Sequence, residues 1–147
     1  MNEIFHEFRG KMETYTDYHL ILLVSLTNSA DLEMGITLTV PGGIVTGNLI
    51  SFSSWCKKQA HLVTPFHSLG FSAYSDFLNN AAKELEQERA DKYAIEAIKK
   101  EDDPLFINLS EARFLTSEGP LLSNPESLWR GKLSDVSGWM LGKLMKQ

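Results

Sequence analysis

The sequence predicts an α+β fold. It is a small, strongly bent antiparallel β-barrel of about five strands, with an N-terminal helix and a long helical insertion after the first hairpin. Three observations lead there. Residues 34–52 read as two strands around a Pro-Gly-Gly turn. Residues 53–103 then become helical and highly charged. From residue 104 the chain returns to short β-rich segments, with no pattern of parallel crossovers.

At 147 residues the chain is long enough for one domain with a core that needs no disulfide or metal. Residues 31–52 and 104–147 are assigned to the barrel and 53–103 to the insertion. With 43% hydrophobic and 22% charged residues the composition is that of a globular protein, not a disordered one.

Tyr15–Asn28 reads as a helix, with Tyr15, Tyr18, Leu22 and Leu26 near helical spacing and no Gly or Pro. Leu20, Ile21, Leu23 and Val24 add apolar surface on other sides, so a short buried strand competes. Met34–Val40 alternates Ile36, Leu38 and Val40 with Thr37 and Thr39, the signature of a half-buried strand. Pro41, Gly42 and Gly43 supply the turn. Ile44–Phe52 returns, and Gly47 in its middle marks a sharp bend or a close backbone approach.

Ser53 or Ser54 is the expected cap of a short helix running to Ala60. His61–Gly70 reads as a loop. Phe71–Lys100 reads as one long helix with a break near Asp91. Tyr74, Phe77, Leu78, Ala81, Leu85 and Tyr93 line its broad face. From Lys83 to Asp103 there are five basic and eight acidic residues. That stretch is either a solvated face or an acidic arm that meets a partner.

Leu105–Leu109 and Ala112–Thr116 are β-rich segments separated by Ser110 and Glu111. Thr116–Ser127 is a loop. Leu128–Leu133 and Gly138–Leu144 are the last strands, expected to pair across a tight turn at Ser134–Ser137. Residues 129–147 carry four basic and one acidic residue, so a basic C-terminal hairpin is expected opposite an acidic insertion.

The candidate contact residues are Trp129, Arg130, Lys132, Trp139 and Lys143. Residues i and i+2 of a strand share a face, so Arg130 and Lys132 project together, opposite Trp129, Gly131 and Leu133. The alternatives are a partner-binding strip, or core tryptophans with solvating charges. Gly131, Gly138 and Gly142 are expected to be structural, allowing the last strands to bend.

Several function classes are disfavoured. A net charge of −5 opposes bulk electrostatic binding to nucleic acid. The longest apolar run, Leu20–Val24, is far short of a membrane span. The N-terminus has no signal-peptide pattern, and a single cysteine fits a reducing cytoplasm. Cys56, His61 and His67 lack a fourth zinc ligand, and His6 and His19 are distant in sequence, so no metal or cofactor is expected. No phosphate-binding loop or nucleophile elbow is present, and no enzyme is expected.

The predicted topology resembles the Sm-like barrel. Ile36–Ile50 resembles its first hairpin, Phe106–Leu109 its third strand, and Arg130-Gly131 the Arg-Gly of its second motif. Three segments resemble a narrower family, the gas vesicle accessory proteins of the GvpU type. They are Asp31–Ser51, Phe106–Phe114 and Leu128–Leu144. The third is the most specific: Trp-Arg-Gly-Lys, an acidic turn residue, a glycine, an aromatic and Leu-Gly-Lys follow in order. The resemblance implies a cytoplasmic accessory protein, not a shell component, that regulates or clusters vesicles by non-covalent contact. Its implied partners are gas vesicle proteins, the vesicle surface and further copies of itself. No catalytic residue comes with it. The family's polar tail has no counterpart before Gln147, so the resemblance does not extend to tail-dependent clustering. The alternative is an Sm-like RNA-binding protein.

Overall fold

The computed structural model describes residues 16–66, 68–90, 104–120 and 126–144. The first helix, α1, spans Tyr18–Ala30. Asp17 caps it, its Oδ1 accepting from the His19 N–H at 2.8 Å. At the other end Asp31 adopts a left-handed conformation and its N–H returns to the Thr27 carbonyl. The buried stripe is Leu20, Val24 and Thr27, at i, i+4 and i+7. The stripe expected through Tyr18, Leu22 and Leu26 is turned away: Tyr18 is exposed, and the two leucines are half-buried. The helix is apolar on nearly every side, so contact with the sheet, not periodicity, selects the buried stripe. Tyr15 lies outside the described residues.

Strands β1 (Met34–Val40) and β2 (Gly43–Leu49) form the predicted hairpin, in register from Met34 opposite Leu49 to Val40 opposite Gly43. Ile36 and Leu38 point into the core. Thr37 is buried too, against expectation for the polar face. Its hydroxyl meets that of Thr46 at 2.9 Å, and residues 142–144 cover the pair.

Strand β3 (Phe106–Thr116) runs unbroken through Ser110 and Glu111, where the sequence divided it. Glu111 takes φ 49° there, and the register with β2 slips between Thr46 and Asn48. The expected break is therefore a bulge, which bends the strand without ending it. Gly47 sits in the slip. A Cβ on it would stand 2.8 Å from the Ser110 carbonyl oxygen, so the two backbones approach too closely for a side chain. A two-residue strand, β4 (Gly119–Pro120), pairs with the end of β3 inside the segment expected to be loop.

The last strands are β5 (Trp129–Lys132) and β6 (Gly138–Leu141). They do not pair with each other. β5 adds to β3 and β6 adds to β1, at opposite ends of the row β5–β3–β2–β1–β6. The expected tight turn is a 3₁₀ segment, Leu133–Asp135, that carries the chain across the end of the core. Leu133 is buried within that core, and the Ser137 N–H bonds the Thr39 carbonyl on β1. The expected basic hairpin is thus two separate edge strands. Trp129 and Trp139, on the two edges, pack against one core. The sheet packs around that core, but β5 and β6 do not pair with each other, so it stays open and does not close into the expected bent barrel.

Between β2 and β3 stands a helical hairpin, α2 (Phe52–Val63) and α3 (Leu69–Ala90). Ser51 caps α2, not Ser53 or Ser54: its hydroxyl accepts from the Ser54 N–H at 3.1 Å. The expected loop shrinks from both ends, and Gly70 lies in the first turn of α3. Leu78 and Ala82 pack on Cys56 and Ala60. Phe77, expected on the packed face, is 66% exposed. The small Cys56 and Ala60 receive Leu78 and Ala82, which turns the aromatic flank outward. Tyr93 and the break near Asp91 lie outside the described residues. No helix among those described is long and apolar enough to cross a membrane.

Candidate functional site

The seam between the helical hairpin and the outer face of the sheet gathers most of the singled-out chemistry. Arg130 lies directly opposite Asn108 across the β5–β3 ladder. Its Nη1 donates to Asn108 Oδ1 at 3.1 Å. Its guanidinium lies 4.3 Å from the ring centre of Phe106, 4.5 Å from Phe52 and 5.6 Å from Trp55. Phe106 and Asn108 share a face of β3, and Phe52 and Trp55 share the first turn of α2. A strand cation is thereby held by rings from the sheet and from the hairpin. Burial pulls the guanidinium pKa below its ordinary value, but arginine stays protonated.

The other candidate residues are dispersed. Trp129 is half-buried on the opposite face, and its indole lies over Gly131: a Cβ there would fall 2.1 Å from the ring. Trp139 packs on the core from β6, and its Nε1 donates to Asp17 Oδ2 at 2.9 Å. That bond is the main cause of an Asp17 carboxyl pKa below the usual range. Lys143 Nζ lies 3.3 Å from Glu111 Oε2, and Asn48 also donates to that oxygen. Lys143, then Asn48, pull the Glu111 pKa down. Lys132 is exposed, and its side chain makes no hydrogen bond or ion pair among the described residues. Pro41 and Gly42 are exposed at the tip of the first hairpin, beside Gly43. Gly142, at φ 100°, begins the segment 142–144 that covers Thr37 and Thr46, whereas a Cβ on Gly138 meets nothing nearer than 3.9 Å.

Arg89, in the stretch expected to be either a solvated face or an acidic arm, is a second anchor. Its Nε donates to the Asn28 carbonyl at 3.2 Å, its Nη2 to Ser53 Oγ at 2.7 Å, and its Nη1 stands 3.7 Å from Asp31. It ties the end of α3 to the end of α1 and the start of α2. A basic residue in the last turn of a helix was the available signal. Asp17, directly before the periodic run, carried a readable capping signal for α1.

Cys56 is fully buried, and loss of solvation pushes its thiol up to about 11. His19 and His61 are exposed, while His6 and His67 lie outside the described residues. Among the described residues no group of three or more His, Cys, Asp or Glu is placed to hold a metal ion. A cleft of about 560 Å³ is lined by Lys57, Lys58, His61, Glu33, Glu111 and Glu126 among others. Lys57 also pairs with Glu86.

The family described as gas vesicle protein GvpU-like matches residues 17–144. Those limits run from the Asp17 cap to Leu144, whose N–H donates to Thr46 Oγ1. No curated protein and no solved structure matches the chain.

Proposed function

The chain belongs to the GvpU-like family of gas vesicle proteins, and from that premise we propose that it is a non-catalytic accessory protein that regulates or clusters gas vesicles. It works in the cytoplasm, at the vesicle surface, through protein–protein contacts and self-association. The carrying observation is the family match, which takes in every described element of the fold.

Two surfaces support the reading. Lys132 offers an exposed, unpaired positive charge on the β5 edge. The β6 edge is uncharged along Gly138–Leu141, and Met140 and Leu141 are 53% and 58% exposed. Edge strands normally carry a charge or a cover that blocks further pairing, so this edge is suited to self-association. Arg130, Trp129, Trp139 and Lys143 contribute by shaping these edges, since each is engaged inside the chain.

The test is flotation of purified gas vesicles with the protein, followed by assay of the buoyant layer. Co-flotation that weakens with salt, and weakens further in Lys132→Glu, supports the charge contact. Met140→Lys is expected to lower the oligomer mass. A protein left wholly below the vesicles at low salt would refute vesicle binding. An unchanged oligomer mass in Met140→Lys would refute association through the β6 edge.

A further inference from the structure

The helical hairpin and the sheet have separate cores. Cys56, Ala60, Leu78 and Ala82 form the hairpin core, with Phe52, Trp55 and Ala81 against it, and none of these residues belongs to the main core. Three of those four buried side chains are small, so the described part of the hairpin removes little apolar surface from water. Two helices with so slight a core of their own gain much of their order from contacts with the rest of the molecule. At the seam Arg130, Arg89 and a bond from the Phe52 N–H to Asn28 Oδ1 hold them down.

The seam also contains a defect. The Trp55 indole N–H is buried and finds no acceptor among the described residues. A buried, unmet donor is destabilising, and it sits on a ring 5.6 Å from the Arg130 guanidinium.

We propose that residues 52–90 are a releasable arm, latched by the Arg130 guanidinium between β5 and α2, that opens while the sheet stays folded. Release separates Phe52 and Trp55 on the arm from Arg130 and Phe106 on the sheet. The opened arm bares the Phe52 and Trp55 rings, both half-buried in the closed molecule. This proposal does not depend on the vesicle reading.

Cys56, the one cysteine of the chain, reports the opening. The full-length protein is exposed to a thiol reagent in increasing sub-denaturing urea, while hydrogen exchange is followed along the chain. Labelling of Cys56 should depend on urea much less steeply than global unfolding does, as for a local opening. Arg130→Ala should speed labelling by roughly 10- to 100-fold, from the lost ring contacts and hydrogen bond, and leave β1–β2 amide protection unchanged. Arg89→Ala should act in the same direction. Wild-type labelling with the full urea dependence of global unfolding would overturn the proposal, whether or not the variants fold. Equal deprotection of α2–α3 and β1–β2 in Arg130→Ala would also overturn it, because Arg130 would then stabilise the whole molecule and not the arm.

Discussion

The sheet and the helical hairpin are held by different forces. The sheet encloses Leu20, Val24, Ile36, Leu38, Val45, Leu49, Ile107, Leu109 and Leu133, all almost fully buried. Among the described residues the hairpin core has one buried leucine and three small residues, and its attachment uses two guanidinium groups and a bond from the Phe52 N–H to Asn28 Oδ1. Burial of large aliphatic side chains is additive and tolerant of direction, so it makes a cooperative unit. Cation–ring contacts and directed hydrogen bonds demand geometry and can be lost together. The same chain therefore combines a robust body with a conditional appendage.

The largest effect should come from the body. Ile36→Ala is expected to cost about 2–5 kcal/mol, the usual range for a fully buried aliphatic side chain. Urea denaturation should show it as an earlier global transition. Leu78→Ala deletes a comparable side chain from the hairpin core. It should deprotect α2 and α3 in hydrogen exchange and move the global midpoint much less. Equal shifts of the midpoint would show that the two cores unfold as one.

Two glycines should respond with opposite signs. Gly131 lies under the Trp129 indole, so Gly131→Ala forces the ring off the core and is expected to cost about 1–3 kcal/mol. Gly70 lies in the first turn of α3, and a Cβ there meets nothing within 4 Å. Gly70→Ala should stabilise the hairpin by about 0.5–1 kcal/mol, by helix propensity and reduced unfolded-state entropy. Its signature is slower exchange in α3 with no change in β1–β2.

The difference between the two regions also decides what the sequence revealed. Alternating Ile36, Leu38 and Val40, with the Pro41-Gly42-Gly43 turn, was enough to place the first hairpin, because period-2 patterning and turn chemistry are local signals. Helical character in residues 53–103 was legible for the same reason. The pairing of β5 and β6 was not. Their separation depends on Leu133 filling the core and on Ser137 bonding β1, which are contacts across the fold. The role of Arg130 was hidden similarly. Strand alternation correctly placed it opposite Trp129, but nothing local said that the outer face is covered by α2. The sequence offered Arg130 a partner or solvent, and placed Arg89 in a stretch that is a solvated face or an acidic arm, whereas both make contacts within the chain.

The smallest expected effect is electrostatic, and it separates the regions by pH. Among the described residues Asp17 and Glu111 are the carboxylates whose pKa values are held down, and both belong to the sheet body. A carboxyl with a lowered folded pKa contributes stability that is present above its unfolded value, near 4. That contribution is lost as pH falls through the folded value. Glu111 is exposed and Asp17 half-buried, so each contribution is partly screened and expected at about 0–1 kcal/mol. Asp17→Asn keeps an acceptor for the Trp139 indole and a cap for α1, but it removes the titration. Its thermal midpoint should therefore fall less than that of the wild type between about pH 5 and pH 2.5. Glu111→Gln should behave likewise, through Lys143. The hairpin is anchored by guanidinium groups that do not titrate in this range, so Arg130→Ala should leave the acid slope of the sheet unchanged. If Arg130→Ala flattened that slope instead, the arm and the body would be coupled through charge, and the contrast between a robust sheet and a conditional hairpin would fail.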